Sequence, residues 1–391
     1  MKKTIERIDS IDLLRGLIMA LMALDHTRHF LTNAHFNPLD IGQTTPLLFM
    51  TRWITHYCAP LFVLLSGIST WLSLQKNGDT HRQSQLLIQR GLLLIALEIL
   101  WIGPFGWDFG IVRHEIGVGV LWAIGWSMLI LAALIRFKPR VALVFGILMV
   151  SLHNLSDGLQ ADQLGAFGGI WRVLHQGGAV DLPLGWILNA YYPLVPWIGV
   201  MALGFGIAPR LHQPLPERKR FLFQAGLVLT LGFIVLRLGN LYGDSRHWTI
   251  GSDDIHTLMS FVHCSKYPPS LHYLLMTLGP GLMLLSLLEG IQPRRFKALR
   301  VFGQVPLFFY LIHLPLIHGL AALIDYGRYG EAMWQFGWPW VSALKPPPAD
   351  HGFGLLIVYL STLFVLTLLY PLCRQYQSYK ATHSGWIARL I

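Results

Sequence analysis

The sequence predicts an all-α integral membrane protein, with about ten spanning helices in one polytopic domain over residues 1–391 and both termini cytoplasmic. Three observations carry this expectation. Of the 391 residues, 53% are apolar and 13% charged, where a soluble domain carries about 25% charge; mean hydropathy is +0.50. Apolar runs of the roughly 20 residues needed to cross a bilayer recur along the whole chain. Lys and Arg fall in short clusters between alternate runs, the pattern of loops that resist translocation. The net charge of +10 is therefore spread over loops instead of forming one patch, which argues against a nucleic-acid partner and for a lipid bilayer.

The runs span 11–31, 48–74, 85–103, 115–135, 140–155, 186–208, 219–240, 270–291, 299–323 and 352–373. With the N-terminus inside, the inner segments hold Lys2, Lys3, Arg7, Lys76, Arg82, Arg136, Lys138, Arg140, four cations over 210–220, four over 294–300, and Arg374, Lys380 and Arg389. The outer segments hold only Arg113, Arg172, Arg246, Lys266, Arg328 and Lys345. The outer loops, 32–47, 156–185, 241–269 and 324–351, are long and rich in Gly, Pro, Trp and His, as suits recognition from outside. MKKTIERIDS has the charge of a signal peptide, but the run after it is too polar for an apolar signal core and reads as a retained first helix. Cys58, Cys264 and Cys373 provide neither a disulfide framework nor a cysteine metal site.

The first run, IDLLRGLIMALMALDHTRHFL, holds Asp12, Arg15, Asp25, His26, Arg28 and His29. An ionisable group at mid-bilayer costs roughly 2.5–3.5 kcal/mol on insertion scales, so such groups persist where they face protein, water or ligand. Arg15 and His26 are eleven positions apart, about three full turns, so they share one face with a separation of roughly 16 Å along the axis. Asp25 and Arg28, at i and i+3, are placed to pair. In the second run, Arg52 and His56 stand at i and i+4 near the level of His26, and Pro60 kinks the helix and frees a carbonyl. Ser66 and Thr70 read as ordinary helix packing. Arg90 near the inner end of the third run and Glu98 in its interior read as structural, with Arg90 also a second inner-side cation. Arg237 reads as interfacial. In the ninth run Tyr310 and His313 are i, i+3, while His318 is turned about 140° away, so the two histidines do not clamp one metal.

The chain has no HExxH, C-x-x-C, phosphate-binding lysine loop or G-x-S-x-G elbow. Its 17 histidines show no zinc spacing, and no metal is expected. A histidine beside a carboxylate and guanidinium groups, with no evident nucleophile, suits general base catalysis. Intramembrane charges fit a multi-pass transporter or flippase for an envelope component equally well, and a scaffold that binds an envelope partner through its outer loops is a third reading.

IDLLRGLIMALMALDH, TRWITHYCAPLFVLLSG, KYPPSLHYLLMTLGP and FGQVPLFFYLIHLPLIH together resemble the bacterial membrane proteins related to heparan-alpha-glucosaminide N-acetyltransferase, in the wider transmembrane acyltransferase superfamily. Arg15, ten residues, then His26 is similar to the Arg-x10-His pattern of the membrane acyltransferase-3 group. The resemblance covers essentially the whole chain. It implies a ten-helix enzyme that takes an acyl group, most often acetyl, from acyl-coenzyme A on the inner side. The acceptor would be a hydroxyl or amine on the outer side, often of a glycan or other envelope molecule. On this resemblance His26 is the base, with Asp25 and His29 in the catalytic group. Arg15 would contact the donor, acetyl-CoA, and the region of His29, Arg52 and His56 would complete the pocket. Beside the resemblance, Arg90 is a second candidate contact for the donor, and Arg28 and His313 are further candidates for the acceptor side. In the lysosomal heparan enzyme the position of His26 is Asn and the catalytic histidine lies in the segment leading to the second helix, where His35 is the nearest candidate here. The base therefore stays open among His26, His29 and His35. A bacterial member would lie in the inner (plasma) membrane, and a homodimer is compatible with the sequence.

Overall fold

A computed structural model describes residues 7–108, 114–336, 345–383 and 385. Twelve helices matter here: α1 (Asp9–Leu31), α2 (Pro46–Asn77), α3 (Thr80–Trp107), α4 (Val120–Leu134), α5 (Pro139–Ser156), α6 (Leu194–His212), α7 (Leu215–Gly239), α8 (Asp254–Val262), α9 (Leu271–Leu288), α10 (Lys297–Gln304), α11 (Pro306–Tyr329) and α12 (Leu355–Thr382). Among the described residues, eight are long and apolar enough to cross a membrane: α2, α3, α5, α6, α7, α9, α11 and α12. The chain is an all-α integral membrane protein. α4 is apolar but shorter, and α1 is long but carries charge.

Each apolar run contains a helix, but the ninth is broken at Val305 into α10 and α11, and two others differ at their ends. Residues 115–118 and 187–190, expected within helices, are strands. β1 (Glu115–Val118) pairs parallel with β3 (Ile187–Ala190), and β2 (Gly178–Asp181) pairs antiparallel with β3, in the order β1-β3-β2. Glu98 explains why α4 starts where it does. Its buried carboxylate accepts the N–H groups of Gly119 (3.1 Å) and Leu121 (2.8 Å), capping the positive end of that helix.

α1 sits at the centre, touching α2, α9, α10, α11 and α12. That placement is how a charged helix survives here: its polar groups face protein, not lipid. α7 shows the opposite logic. It is apolar but buries only Leu222, Gly226, Phe233 and Arg237, leaving Val235 and Leu231 for lipid. Glycine sets the closest crossings. A Cβ at Gly16 would lie 1.8 Å from the Leu299 carbonyl oxygen, and one at Gly303 would lie 1.8 Å from that of Asp12, so α1 and α10 meet backbone to backbone. Gly67 and Gly204 do the same for α2 and α6.

Arg237 is a further correction. It is fully buried, not interfacial. Its guanidinium donates to the carbonyls of Arg246 (2.5 Å), Phe261 (2.8 Å), Ser260 and His263 (both 3.1 Å). It thereby gathers the 244–263 loop and terminates α8 with a cation at its negative end. Asp244 continues the work, accepting from Ser265 N (2.8 Å) and from the hydroxyls of Ser265 and Ser270 (2.7 Å each). The segment that carries Lys266 and Tyr267 is thus held at both ends.

Candidate active site

Proline builds two sides of the site. Pro60 has no N–H to give the His56 carbonyl, and α2 passes through a tighter turn at Thr55–Tyr57 before it. The Tyr273 hydroxyl of α9 takes up that free carbonyl at 2.8 Å. In α11, Pro315 frees the Leu311 carbonyl, which accepts from Trp101 Nε1 at 2.9 Å. The last part of α3, from Glu98, winds in wider π-type turns that include Pro104, and it delivers Trp107 to the C-terminal half of α1. Insertions of this kind concentrate at functional sites.

His26 Nδ1 lies 2.8 Å from His313 Nε2. His313 Nδ1 faces the carbonyl oxygens of Tyr310 (2.8 Å) and Phe309 (3.1 Å), which only accept. Nδ1 of His313 therefore carries the proton, and in the neutral pair its Nε2 accepts from His26 Nδ1–H. His26 Nε2 is left with its lone pair. Trp107 stands edge-on to His26 (5.5 Å between centroids) and to His29 (5.3 Å), so one indole spaces both imidazoles.

Beside this pair is a charge cluster. Asp25 accepts from Arg28 (3.2 Å), from Arg52 through both oxygens (3.0 Å each) and from the Thr55 hydroxyl (3.0 Å). With both oxygens engaged, Asp25 is the counter-charge of two guanidinium groups. His56 is fully buried against Tyr273, with ring centroids 5.4 Å apart. Lys266, Tyr267 and Tyr192 close over the cluster. Lys266 interacts electrostatically with Asp25, His26 and His56, and the two tyrosine hydroxyls meet at 3.5 Å. The sequence pattern marked none of these three as site residues: Lys266 and Tyr267 sit in a loop whose fold depends on Arg237 and Asp244, and Tyr192 in the short bend between β3 and α6. Trp107 escaped notice for a similar reason: tryptophan is abundant, and only the wide turns of α3 aim this one.

His35 is not brought to this cluster. It is exposed, and its ring neighbour is His351 at 5.4 Å, whose Nε2 bonds Asp325 at 3.0 Å. His318 bonds the Gln335 carbonyl (2.6 Å) and stacks on Phe30 (4.5 Å), apart from the His26–His313 pair as its angle on the helix requires. Among the described residues no group of three or more His, Cys, Asp or Glu is arranged to hold a metal ion.

At the N-terminal end of α1, Arg15 donates to Ser69 Oγ of α2 (2.7 Å) and to the Gly303 carbonyl (3.2 Å), with Asp12 at 3.6 Å. Arg15, Arg90 and Arg7 all act electrostatically on Lys380 of α12. Four cations from three stretches of chain, the start of α1, α3 and α12, therefore converge at this end, with Arg15 three turns of α1 from His26.

The fold and this arrangement define a polytopic membrane protein with an imidazole pair at one end of its central helix and a cation cluster at the other. The family model for the catalytic region of heparan-alpha-glucosaminide N-acetyltransferase matches residues 7–239, more than half of the chain, and the chain belongs to that family. Its function is accordingly of the membrane acetyltransferase kind. No curated protein matches the chain. The matched span includes Arg15, Asp25, His26, Arg52 and His56, whereas His313, Lys266 and Lys380 lie beyond it.

Proposed function

We propose that the chain, as one polytopic unit of ten spans with both termini cytoplasmic, moves an acetyl group from cytoplasmic acetyl-CoA to a hydroxyl or amine of an acceptor at the outer side, a glycan or other envelope molecule. The observation that carries this reading is the directed pair His26–His313, which leaves a lone pair on His26 Nε2 along the same helix that carries Arg15. His26 is the general base and His313 its positioning partner. The acceptor's proton passes to His26 Nε2 as its oxygen or nitrogen bonds to the thioester carbonyl carbon. The negative oxygen that develops lies in the positive field of Arg28, Arg52 and Lys266. The C–S bond then breaks, and the coenzyme A thiolate takes the proton from His26 Nε2. The products are an acetyl ester or amide and free coenzyme A. Arg15, Arg90, Arg7 and Lys380 supply the cations for the donor's phosphates.

The test is acetyl transfer and acetyl-CoA hydrolysis by purified protein in vesicles. His26→Ala should abolish both while unfolding within a few degrees of the parent, and His35→Ala should retain them. Full turnover in His26→Ala with loss in His35→Ala would move the base to His35. Substrate uptake into vesicles without any acetyl-CoA turnover would identify a transporter instead.

A further inference from the structure

The cluster around Asp25 is out of charge balance. Arg28, Arg52 and Lys266 contribute three cations, and Asp25 forms the salt bridges to both guanidinium groups. Among the described residues no other carboxylate forms a salt bridge with any of the three. Two positive charges are thus left over in a region where Arg28 and Lys266 are at least nine-tenths buried. Buried charge is expensive unless it is paired.

The hydrogen-bond inventory points the same way. Arg28 spends Nη2 on Asp25, while its Nε and Nη1 are buried with no partner. His56 is fully buried, and neither of its ring nitrogens has a partner. Lys266 has its ammonium 5.1 Å from the Tyr267 ring centroid. The unmet buried donors of Arg28 and His56 are of a kind rare in a folded chain and call for a ligand. All of this lies beside His26, on the side of α1 closed by the 263–268 segment that Asp244 pins in place.

We infer that Arg28, Lys266 and His56, with Arg52, form a binding site for an oxyanion carried by the acceptor, so that the acceptor is an acidic molecule: a uronate-type carboxylate, a sulfate or a phosphate. The inference rests on the transferase reading above and names the substrate class of that same site. Arg28 offers an oxyanion a charge-assisted donor, its free Nε–H on one edge or its free Nη1–H on the other, while Nη2 stays on Asp25. His56 provides a third donor and Lys266 a point charge. The two excess charges are then neutralised at the moment the acceptor binds. The same excess repels an ammonium group. The site therefore selects an acidic acceptor over a neutral or cationic one.

The test uses the intact protein in detergent with glucuronate, glucose 6-phosphate and glucose 6-sulfate as anionic probes, methyl glucoside as the neutral control and glucosamine as the cationic one. Calorimetric affinity and the acetyl acceptor kcat/KM are both read. At least one anionic probe should bind tighter than methyl glucoside by ~10-fold or more, the effect of one or more charge-assisted hydrogen bonds. Which anion wins distinguishes a carboxylate from a phosphate or sulfate source. Lys266→Gln should bring the anionic and neutral probes to within about threefold, and Lys266→Arg should restore the gap, which separates loss of charge from loss of fold. Equal affinity for all probes, preference for glucosamine, or an anion preference unchanged in Lys266→Gln overturns the oxyanion site. Acetyl-CoA turnover that ignores acceptor charge sinks the oxyanion site alone. Anion binding that depends on Lys266, without acetyl transfer to any probe, upholds the site and sinks the transferase reading.

Discussion

His26 of α1 and His313 of α11 meet nitrogen to nitrogen at 2.8 Å, although 287 positions separate them in the chain. The two carbonyls behind His313 fix the direction of that contact, so the free lone pair falls on His26. His313 thus does for His26 what a buried carboxylate does for the histidine of a hydrolase triad: it selects the tautomer and orients the ring. Removing it should leave the base present but undirected. His313→Ala is expected to lower kcat by ~10²-fold or more, the scale of a general base's contribution, with the KM for acetyl-CoA little changed. A large rise in donor KM with kcat intact would instead place His313 in donor binding.

Asp25 and His26 are neighbours with different jobs, and their substitutions should separate. Asp25→Asn leaves Arg28 and Arg52 without a counter-charge in a buried site. Breaking one partner out of such a cluster costs ~3–5 kcal/mol, so the variant should unfold at clearly lower temperature in detergent. His26→Ala removes a half-buried ring and should unfold within a few degrees of the parent while losing transfer. The paired thermal-unfolding curves decide the matter. Equal unfolding temperatures for Asp25→Asn and the parent would show that Asp25 is no structural anchor.

The α1–α10 crossing sets the position of Arg15. Gly303→Ala puts a methyl group 1.8 Å from the Asp12 carbonyl oxygen, and the helices must part. The same shift pulls the Gly303 carbonyl away from Arg15 Nη1. Overpacking of this sort costs ~1–3 kcal/mol. The expected outcome is lower stability together with a higher KM for acetyl-CoA, and little change for the acceptor. A rise confined to the acceptor KM would contradict the placement of the donor at this end.

The loop that carries Lys266 is acid-sensitive through His263. Burial, then Arg246 and Arg237, hold this imidazole down from 6.5 to about 4. The unfolded chain takes up the proton first, so stability falls as pH drops from about 6.5 to about 4 and is unaffected above that window. His263→Gln keeps the backbone carbonyl that Arg237 uses and removes the titration. Hydrogen exchange of residues 244–270 should show protection lost on acidification in the parent, and a flatter profile in the variant. Identical pH profiles would remove His263 from this role.

The sequence by itself determined the membrane class, the positions of the apolar helices and the common face of Arg15 and His26. These are local properties: run length against bilayer thickness, and a helical repeat that relates residues eleven apart. It also foresaw the Asp25–Arg28 pair at i, i+3 and the carbonyl freed by Pro60. Tertiary structure alone decided the rest. It set which side chains complete those local patterns: His313 for His26, Arg52 for Asp25 and Tyr273 for the carbonyl of His56. It buried Arg237 and made a segment that reads as an outer loop carry Lys266 into the site. It turned the ends of two apolar runs into strands and left His35 beside His351. No periodicity encodes these contacts, because each joins elements whose separation in sequence is unrelated to their separation in space. The central position of α1 converts a helix too charged for lipid into the axis of the site.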